Sequence, residues 1–397
     1  MSQDCLIAEI ADDNIRYIVV KFDDNSDHKI LSKKIFKNNG IKKGKILDFE
    51  LTAKKINEDI NDLEKESHNV FKNISLVINE SEISCTNLSG FKILNGSKVE
   101  KRDLEYILND AQISISQNQE NNSVLHIINS NFILDKIKKN KIPLNLHGDH
   151  LSLNMTFISL PKNNLKNINA LFDNSDLKID RIISKPLACG INLLNKNKKN
   201  KDFLLINFDK ELSSVSFFED STLVFTKIFP FGTNSIIHDI SKLCSINENE
   251  IRPLIKKIDF TSTINEKRYI DKSFFTESKF KKLTIQHVKD IINARVIEML
   301  DLLFNKNINL KHVRKKILNI DIFFEDKEVL KYLGKLFHEN LRLDKMKTQI
   351  ELMHLDDFFA LSGAAELIDK GWDKEAIPLI KVKKSIISRF FERFFKN

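Results

Sequence analysis

The stretch CLIAEIADDNIRYIVVKF, residues 5–22, decides the fold. Two apolar runs of strand length flank Asp12, Asp13 and Asn14, a tight-turn signal, and together they predict a β-hairpin. The pattern returns at residues 202–229, where DFLLINF, SSVSFF and TLVFTKIF read as three successive strands. The polar run NKNKKNK, residues 195–201, separates the two occurrences. Helical patterns follow each hairpin. The chain therefore reads as two α/β halves of related topology.

Working outward, DFELTAKKINEDINDLEKE carries apolar residues at helical spacing, with Asp48 placed to cap it. NISLVINE, SEISCTNLSGFKI, SVLHIINSNFILD and HLSLNMTFISL read as strands, and VEKRDLEYILNDAQI (99–113) as an amphipathic helix. PKNNLKNINALFDNSDL opens a helix with Pro161 near its start. A strand, KIDRIIS, and a helix, KPLACGINLLN, close the first half. In the second half, TIQHVKDIINARVIEMLDLLFNK is the strongest helix signal. KILNIDIFF reads as a strand, and KEVLKYLGKLFHEN and DDFFALSGAAELID as helices.

Composition narrows function. The net charge is +8, but the lysines are dispersed, and one Trp and four Tyr stand beside 29 Phe. That argues against a nucleic-acid surface. The four cysteines (Cys5, Cys85, Cys189, Cys244) lie far apart without metal spacing and read as buried thiols of a reducing compartment. No apolar run approaches the ~18 residues of a membrane span, and the N-terminus lacks signal-peptide character. Ten glycines stand where average usage of about 7% would give about 28. No GxG, GG or Walker loop occurs, which disfavours an enzyme that cradles phosphate on glycine backbone.

Several stretches in order resemble the bacterial cell division protein FtsA, an actin-like family. GIKKGKILDFE (40–50) is similar to a Lys-Gly-x-Ile-x-Asp-x-Glu segment of that family. EISCTNLSG (82–90) and VLHIINSNFILD (124–135) resemble its inserted subdomain, TKIFPFGTNSIIHDIS (226–241) the hairpin and helix after its second phosphate loop, and INARVIEMLDLL (292–303) a helix of its subdomain 2B. The resemblance implies an actin-like fold of two RNase H-like halves with a small inserted α+β subdomain of type 1C. Residues 1–78, 160–195 and 356–370 would form subdomain 1A, and 79–159 subdomain 1C. Residues 196–230 with 308–355 would form 2A, and 231–307 would form 2B. A linker, 371–382, and a membrane-targeting helix, 383–397, would follow.

The departures fall where the family binds nucleotide. At the first loop stand Glu9, Ile10, Ala11, Asp12 and Asp13. At the second stand Asn207, Phe208, Asp209, Lys210, Glu211 and Leu212, and in place of the adenosine-side glycines stand Asp321, Ile322, Phe323 and Phe324. Without glycine, backbone N–H groups cannot close on phosphate oxygens. Asp12, Asp13, Asp209 and Glu211 add carboxylates where a triphosphate would lie, and Phe323 and Phe324 would fill the nucleoside space. The expectation is a degenerate site, with no catalytic residues and ATP with magnesium bound at most weakly.

The chain ends SIISRFFERFFKN. At about 100° per residue, Ile386, Ile387, Phe390, Phe391, Phe394 and Phe395 cover one half of a helix, and Ser388, Arg389, Glu392, Arg393 and Lys396 the other. A helix of ~14 residues reaches only ~21 Å, too short to span a bilayer but suited to lie on anionic lipid. By resemblance it is the family's membrane anchor, placing the chain peripherally on the cytoplasmic face of the inner membrane. Avidity along a filament would firm up a single weak anchor, so self-association is expected. Arg295 and Glu298 match positions that in the family contact the C-terminal tail of FtsZ, as a mixed-charge surface pair suits. HGDH (147–150) lacks a third metal ligand. The expected function is an adaptor tethering FtsZ polymers to the membrane in the divisome. The alternatives are an ATPase or kinase-type phosphotransferase of the same superfold, or a PilM-type membrane platform.

Overall fold

The computed structural model describes residues 4–22, 28–139, 141–173, 175–196, 201–258, 268–311, 319–343, 348–371 and 375–378. The predicted hairpin forms from β1 (Cys5–Ile10) and β2 (Asn14–Phe22), paired antiparallel from Cys5↔Val20 to Ile10↔Ile15. It is extended by β3 (His28–Lys37). A short pair, β4 (Ile41–Lys42) and β5 (Lys45–Ile46), precedes α1 (Phe49–Ser67). Asp48 caps α1 by accepting from Leu51 N–H, as its sequence position predicts. β6 (Asn73–Ile78) lies parallel to β1 and is almost wholly buried, as a central strand of a parallel pairing is when helices cover its faces.

Next come β7 (Ser84–Ile93), α2 (Lys101–Asn118), β8 (Asn122–Leu134), β9 (Ile137–Lys139) and β10 (His150–Pro161). They form a separate antiparallel sheet backed by α2. Leu104, Ile107, Leu108, Ala111 and Ile115 of the helix pack on Leu151, Leu153, Met155 and Phe157 of β10. Pro161, expected near the start of a helix, ends β10, and α3 (Lys162–Asp173) begins after it. β11 (Lys178–Ser184) and α4 (Lys185–Lys196) follow. The first sheet has the order β11-β6-β1-β2-β3.

The second half repeats this plan with β12 (Phe203–Phe208), β13 (Ser213–Glu219) and β14 (Thr222–Phe229). After them come α5 (Asn234–Cys244), α6 (Glu248–Lys257), α7 (Ile285–Leu300), β15 (Asn319–Phe324), α8 (Lys327–Asn340) and β16 (Gln349–His354). Their sheet has the order β14-β13-β12-β15-β16, the first sheet's connectivity over again. The chain closes with α9 (Phe359–Lys370) and β17 (Glu375–Pro378).

By contacts the chain divides into two compact units, residues 1–202 with 216–227 and 358–397, and residues 203–215 with 228–357. Residues 196–202 and 216–227, expected with the second half, thus belong to the first unit. Within that unit, a Cβ on Gly190 would stand 1.9 Å from the Phe218 ring, so the glycine lets the ring lie on α4. Thr156 Oγ1 also lies 3.5 Å from the Val224 carbonyl. A second correction concerns 371–382, read as linker. Residues 375–378 pair antiparallel with β8 and complete the inserted sheet as β17-β8-β10-β7.

The first unit's core is held by unusually close helix packing. α4 and α9 lie together on one face of the sheet, and α1 and α3 pack on each other. A Cβ on Gly363 would stand 1.9 Å from the Ala188 carbonyl oxygen. Asn192 Nδ2 donates to the Phe359 carbonyl across the same contact at 2.7 Å. Burial raises the thiols of Cys5, to about 12, and Cys85, to about 11. Cys189 and Cys244 are buried, as expected, whereas Cys5 and Cys85 are only partly so.

Candidate functional site

In the first hairpin, Ala11–Asp13 make a closed turn. Ala11 N–H donates to the Asn14 carbonyl at 3.1 Å, and Asn38 N–H to the Asp13 carbonyl at 3.0 Å. The Asp12 carboxylate accepts from Gly44 N–H at 2.9 Å. Gly44 needs to be glycine: its φ is +71°, and a Cβ there would meet the Asn79 carbonyl oxygen at 2.2 Å. The glycine of the Lys-Gly-x-Ile segment thus seats against the turn, its amide on a carboxylate of the chain itself. Glu9, expected as a loop residue, is instead a buried strand residue. Its carboxylate holds Arg16 Nη1 at 3.2 Å and Lys185 Nζ at 3.0 Å, and all three side chains are almost fully buried. An interior carboxylate with two cations is a structural ion cluster.

The second loop is closed as firmly within its own unit. Asp209 N–H donates to the Leu212 carbonyl at 2.9 Å. The carbonyls of Asp209 and Lys210 accept from Thr233 N–H and Asn234 N–H at 2.9 and 2.8 Å. A Cβ on Gly232 would lie 2.4 Å from both carbonyl oxygens, so Gly232 is what lets the segment come this close. Asn234 Nδ2 donates to Glu211 Oε1 at 3.0 Å. Lys210 N–H donates to Glu325 Oε2 at 3.1 Å. Here too an amide of the loop points at a carboxylate of the protein. The sequence reading missed Glu325, since nothing in its local pattern distinguishes it from the Asp326 that caps α8.

Phe323 and Phe324 were expected to fill nucleoside space. The structure places both within β15, buried on its two sides. Phe324 stacks on Phe208 with centroids 5.1 Å apart and meets Phe337 edge-on at 5.0 Å. They are core residues of a central strand covered on both faces. Asp321 on the same strand is nearly buried, and its carboxyl is raised to about 6, by burial first and by Glu351 second.

Arg295 and Glu298 do meet, on the outer side of α7, with Nη1 to Oε2 at 2.9 Å. Arg295 also binds the Asp239 carboxylate of α5 through Nε. That hydrogen bond raises the Arg295 pKa further. The sequence reading missed Asp239, which stands 56 residues away. The pair is therefore a triad of mixed charge, half-exposed at Arg295 and Asp239 and open at Glu298. Ile386, Ile387, Arg389, Phe390, Phe391, Arg393, Phe394, Phe395 and Lys396 lie outside the described residues. His147 Nδ1 lies 2.8 Å from the Gly96 carbonyl, so HGDH belongs to the inserted domain's turn packing. Among the described residues no helix is long and apolar enough to cross a membrane.

The inserted sheet and helix decide the relationship. Residues 81–159 match the family described as the SHS2 domain inserted in FtsA. Cell division protein FtsA of Buchnera aphidicola from Acyrthosiphon pisum is 24% identical over 302 residues, 75% of this chain and 70% of that protein. FtsA of Bacillus subtilis is 22% identical over 298 residues, 74% of this chain and 67% of that protein. Over about three quarters of its length the chain is similar to cell division protein FtsA, and its insert matches that family's SHS2 domain. The match begins three residues before β7 and ends within β10, two residues inside the expected insert at one end and level with it at the other. Among solved structures, the PilM–PilN type IV pilus biogenesis complex superposes with TM-score 0.60 at 9% identity, covering 91% of this chain and 90% of that one. That likeness concerns the fold. The hairpin repeat predicted two α/β halves of related topology, and the actin-like architecture with its insert is the one the resemblance to FtsA implied. The similarity to cell division protein FtsA supports a role in cell division.

Proposed function

We propose that this FtsA-like chain is a peripheral membrane adaptor. It holds FtsZ polymers on the cytoplasmic face of the membrane through residues 383–397, and it works without hydrolysing ATP. The observation that carries the non-enzymatic part is that both loops are satisfied from within the protein. Gly44 N–H rests on Asp12 at 2.9 Å and Lys210 N–H on Glu325 at 3.1 Å. At the second loop a carboxylate of the protein takes the role that a phosphate oxygen has in a nucleotide cradle, and at the first the loop's own Asp12 is held by Gly44. A triphosphate would have to displace them and then face their charge.

The anchoring part rests on the closing sequence. Helical spacing of that sequence would set Ile386, Ile387, Phe390, Phe391, Phe394 and Phe395 on one half and Arg389, Arg393 and Lys396 on the other, with Lys383 and Lys384 just before them. Partial burial of those six gives roughly 6–10 kcal/mol gross, and each basic group near anionic lipid adds up to about 1 kcal/mol. Ordering the helix offsets much of this. A single copy then binds reversibly and a filament of copies firmly. The partner-binding part rests on Arg295 and Glu298, whose exposed mixed charge suits a short peptide tail. Co-sedimentation with phosphatidylglycerol vesicles tests the anchor. The full chain pellets with lipid, and the double substitution Phe390→Asp, Phe394→Asp stays in the supernatant because two carboxylates cannot enter the apolar boundary. Pelleting of the double variant would refute the anchor.

A further inference from the structure

Strand β17 is held by one side chain of unusual placement. Its four residues lie antiparallel at the edge of the SHS2 sheet, Glu375 opposite Ile128 and Pro378 opposite His126. So short an edge strand has few main-chain bonds to hold it. The Glu375 carboxylate, however, is wholly buried. It lies 2.7 Å from His126 Nδ1 and pairs with the Arg181 guanidinium. Ser184 N–H donates to His126 Nε2 at 3.2 Å, so the ring's proton sits on Nδ1 and is given to Glu375. Arg181 Nη1 also donates to the Leu367 carbonyl of α9 at 3.3 Å. One carboxylate thus joins β8 of the SHS2 sheet, β11 of the first sheet and the last helix. Withdrawing it would leave Arg181 as a buried charge without its carboxylate, which is costly.

We infer that Glu375–Pro378 is a latch that sets the length of the tether between the folded chain and its terminal amphipathic segment. The purpose rests on the membrane reading above; the latch itself does not. Four residues separate Pro378 from Lys383, so the five steps of the latched tether reach at most about 18 Å at ~3.6 Å per residue. With β17 detached, the tether starts at Gly371, and its twelve residues reach about 43 Å. Latched, the edge of the SHS2 sheet is kept close to the bilayer. Released, the domain stands off and β8 offers an open strand edge with the buried Arg181 guanidinium beside it.

Glu375→Gln keeps the shape and removes the charge. Hydrogen exchange on the full-length variant in solution is expected to show at least tenfold faster exchange at the β8 amides that face β17. The amides between β10 and β7 are expected to remain as protected as in the wild type. Arg181→Gln is expected to give the same pattern. Unchanged protection at the β17-facing edge of β8, or equal acceleration across the whole SHS2 sheet, would overturn the latch. On phosphatidylglycerol vesicles, energy transfer from a dye at Phe91→Cys, an exposed SHS2 position, to acceptor lipids is expected to fall in Glu375→Gln. Equal transfer would overturn the tether-length claim. A wild-type chain that ignores the vesicles would refute the membrane reading and the tether's purpose, while the exchange result would still decide the latch.

Discussion

Gly363→Ala tests the packing on which the first unit stands. The new Cβ would lie 1.9 Å from the Ala188 carbonyl oxygen, 2.8 Å from its carbonyl carbon and 3.1 Å from Asn192 Cβ. Ordinary contact begins near 3.4 Å, so α4 and α9 must part by about 1.5 Å locally. The obstruction is main chain and cannot swing aside. Moving α4 also strains the Asn192 bond to Phe359 and the Lys185 pairing with Glu9. Overpacking of this kind costs about 1–3 kcal/mol, and a backbone clash belongs at the upper end. About 3 kcal/mol corresponds to a fall in Tm of about 6–12 °C for a unit of this size. Gly334→Ala is the control: it sits inside α8, and its nearest neighbours would be Leu330 Cδ1 at 3.4 Å and Leu352 Cδ1 at 3.6 Å. It is expected to gain about 0.5–1 kcal/mol from helix propensity. Differential scanning calorimetry with urea titration measures both. A loss below about 1 kcal/mol for Gly363→Ala would show that the two helices do not approach as described.

Isothermal titration with ATP and magnesium is expected to give a Kd weaker than about 100 μM, less than roughly 5.5 kcal/mol of binding energy. A low-micromolar Kd, or clear thermal stabilisation by ATP, would refute the self-satisfied loops. Asp321→Asn is expected to change the pH profile of stability between about pH 4 and 6. The folded chain binds this proton more tightly than the unfolded chain, so Asp321 favours folding below its unfolded pKa near 4 and costs stability as pH rises through about 6. The variant, compared with wild type by urea unfolding, should be about 2–3 kcal/mol more favourable at pH 7 than at pH 4 in the difference curve. A flat difference would show that Asp321 is not buried as its carboxylate.

The duplicated hairpin was legible because both copies are apolar on both faces, as central strands must be. α1 announced itself through Asp48, and α7 through sustained helical spacing. Strand β3 was harder, since every second residue is exposed along HKILSKKIFK and lysines stud it, the mark of a protected edge. β17 could not be read from EAIP, because what makes it a strand is the distant pair His126 and Arg181. The loops were legible as lacking glycines, but not as self-satisfied, since Glu325 and Gly44 come from other segments. Phe323 and Phe324 misled because two adjacent large rings read as a plug, whereas a strand sends them to opposite faces. Arg295 and Glu298 were visible at helical spacing, and Asp239 was not, being on another helix.

The central claim, that this chain carries a division polymer to a membrane, is tested most directly on supported bilayers containing phosphatidylglycerol. Fluorescent FtsZ polymers are added with the full-length chain and imaged at the surface. The account predicts dense surface recruitment with the wild type. Removing residues 383–397 should abolish it, because no chain reaches the lipid. Arg295→Glu should reduce it at least tenfold while leaving the chain itself membrane-bound, because the charge offered to the polymer's tail is reversed beside Asp239 and Glu298. Recruitment that survives the truncation, or a wild-type chain that coats the bilayer yet gathers no polymer, would contradict the account.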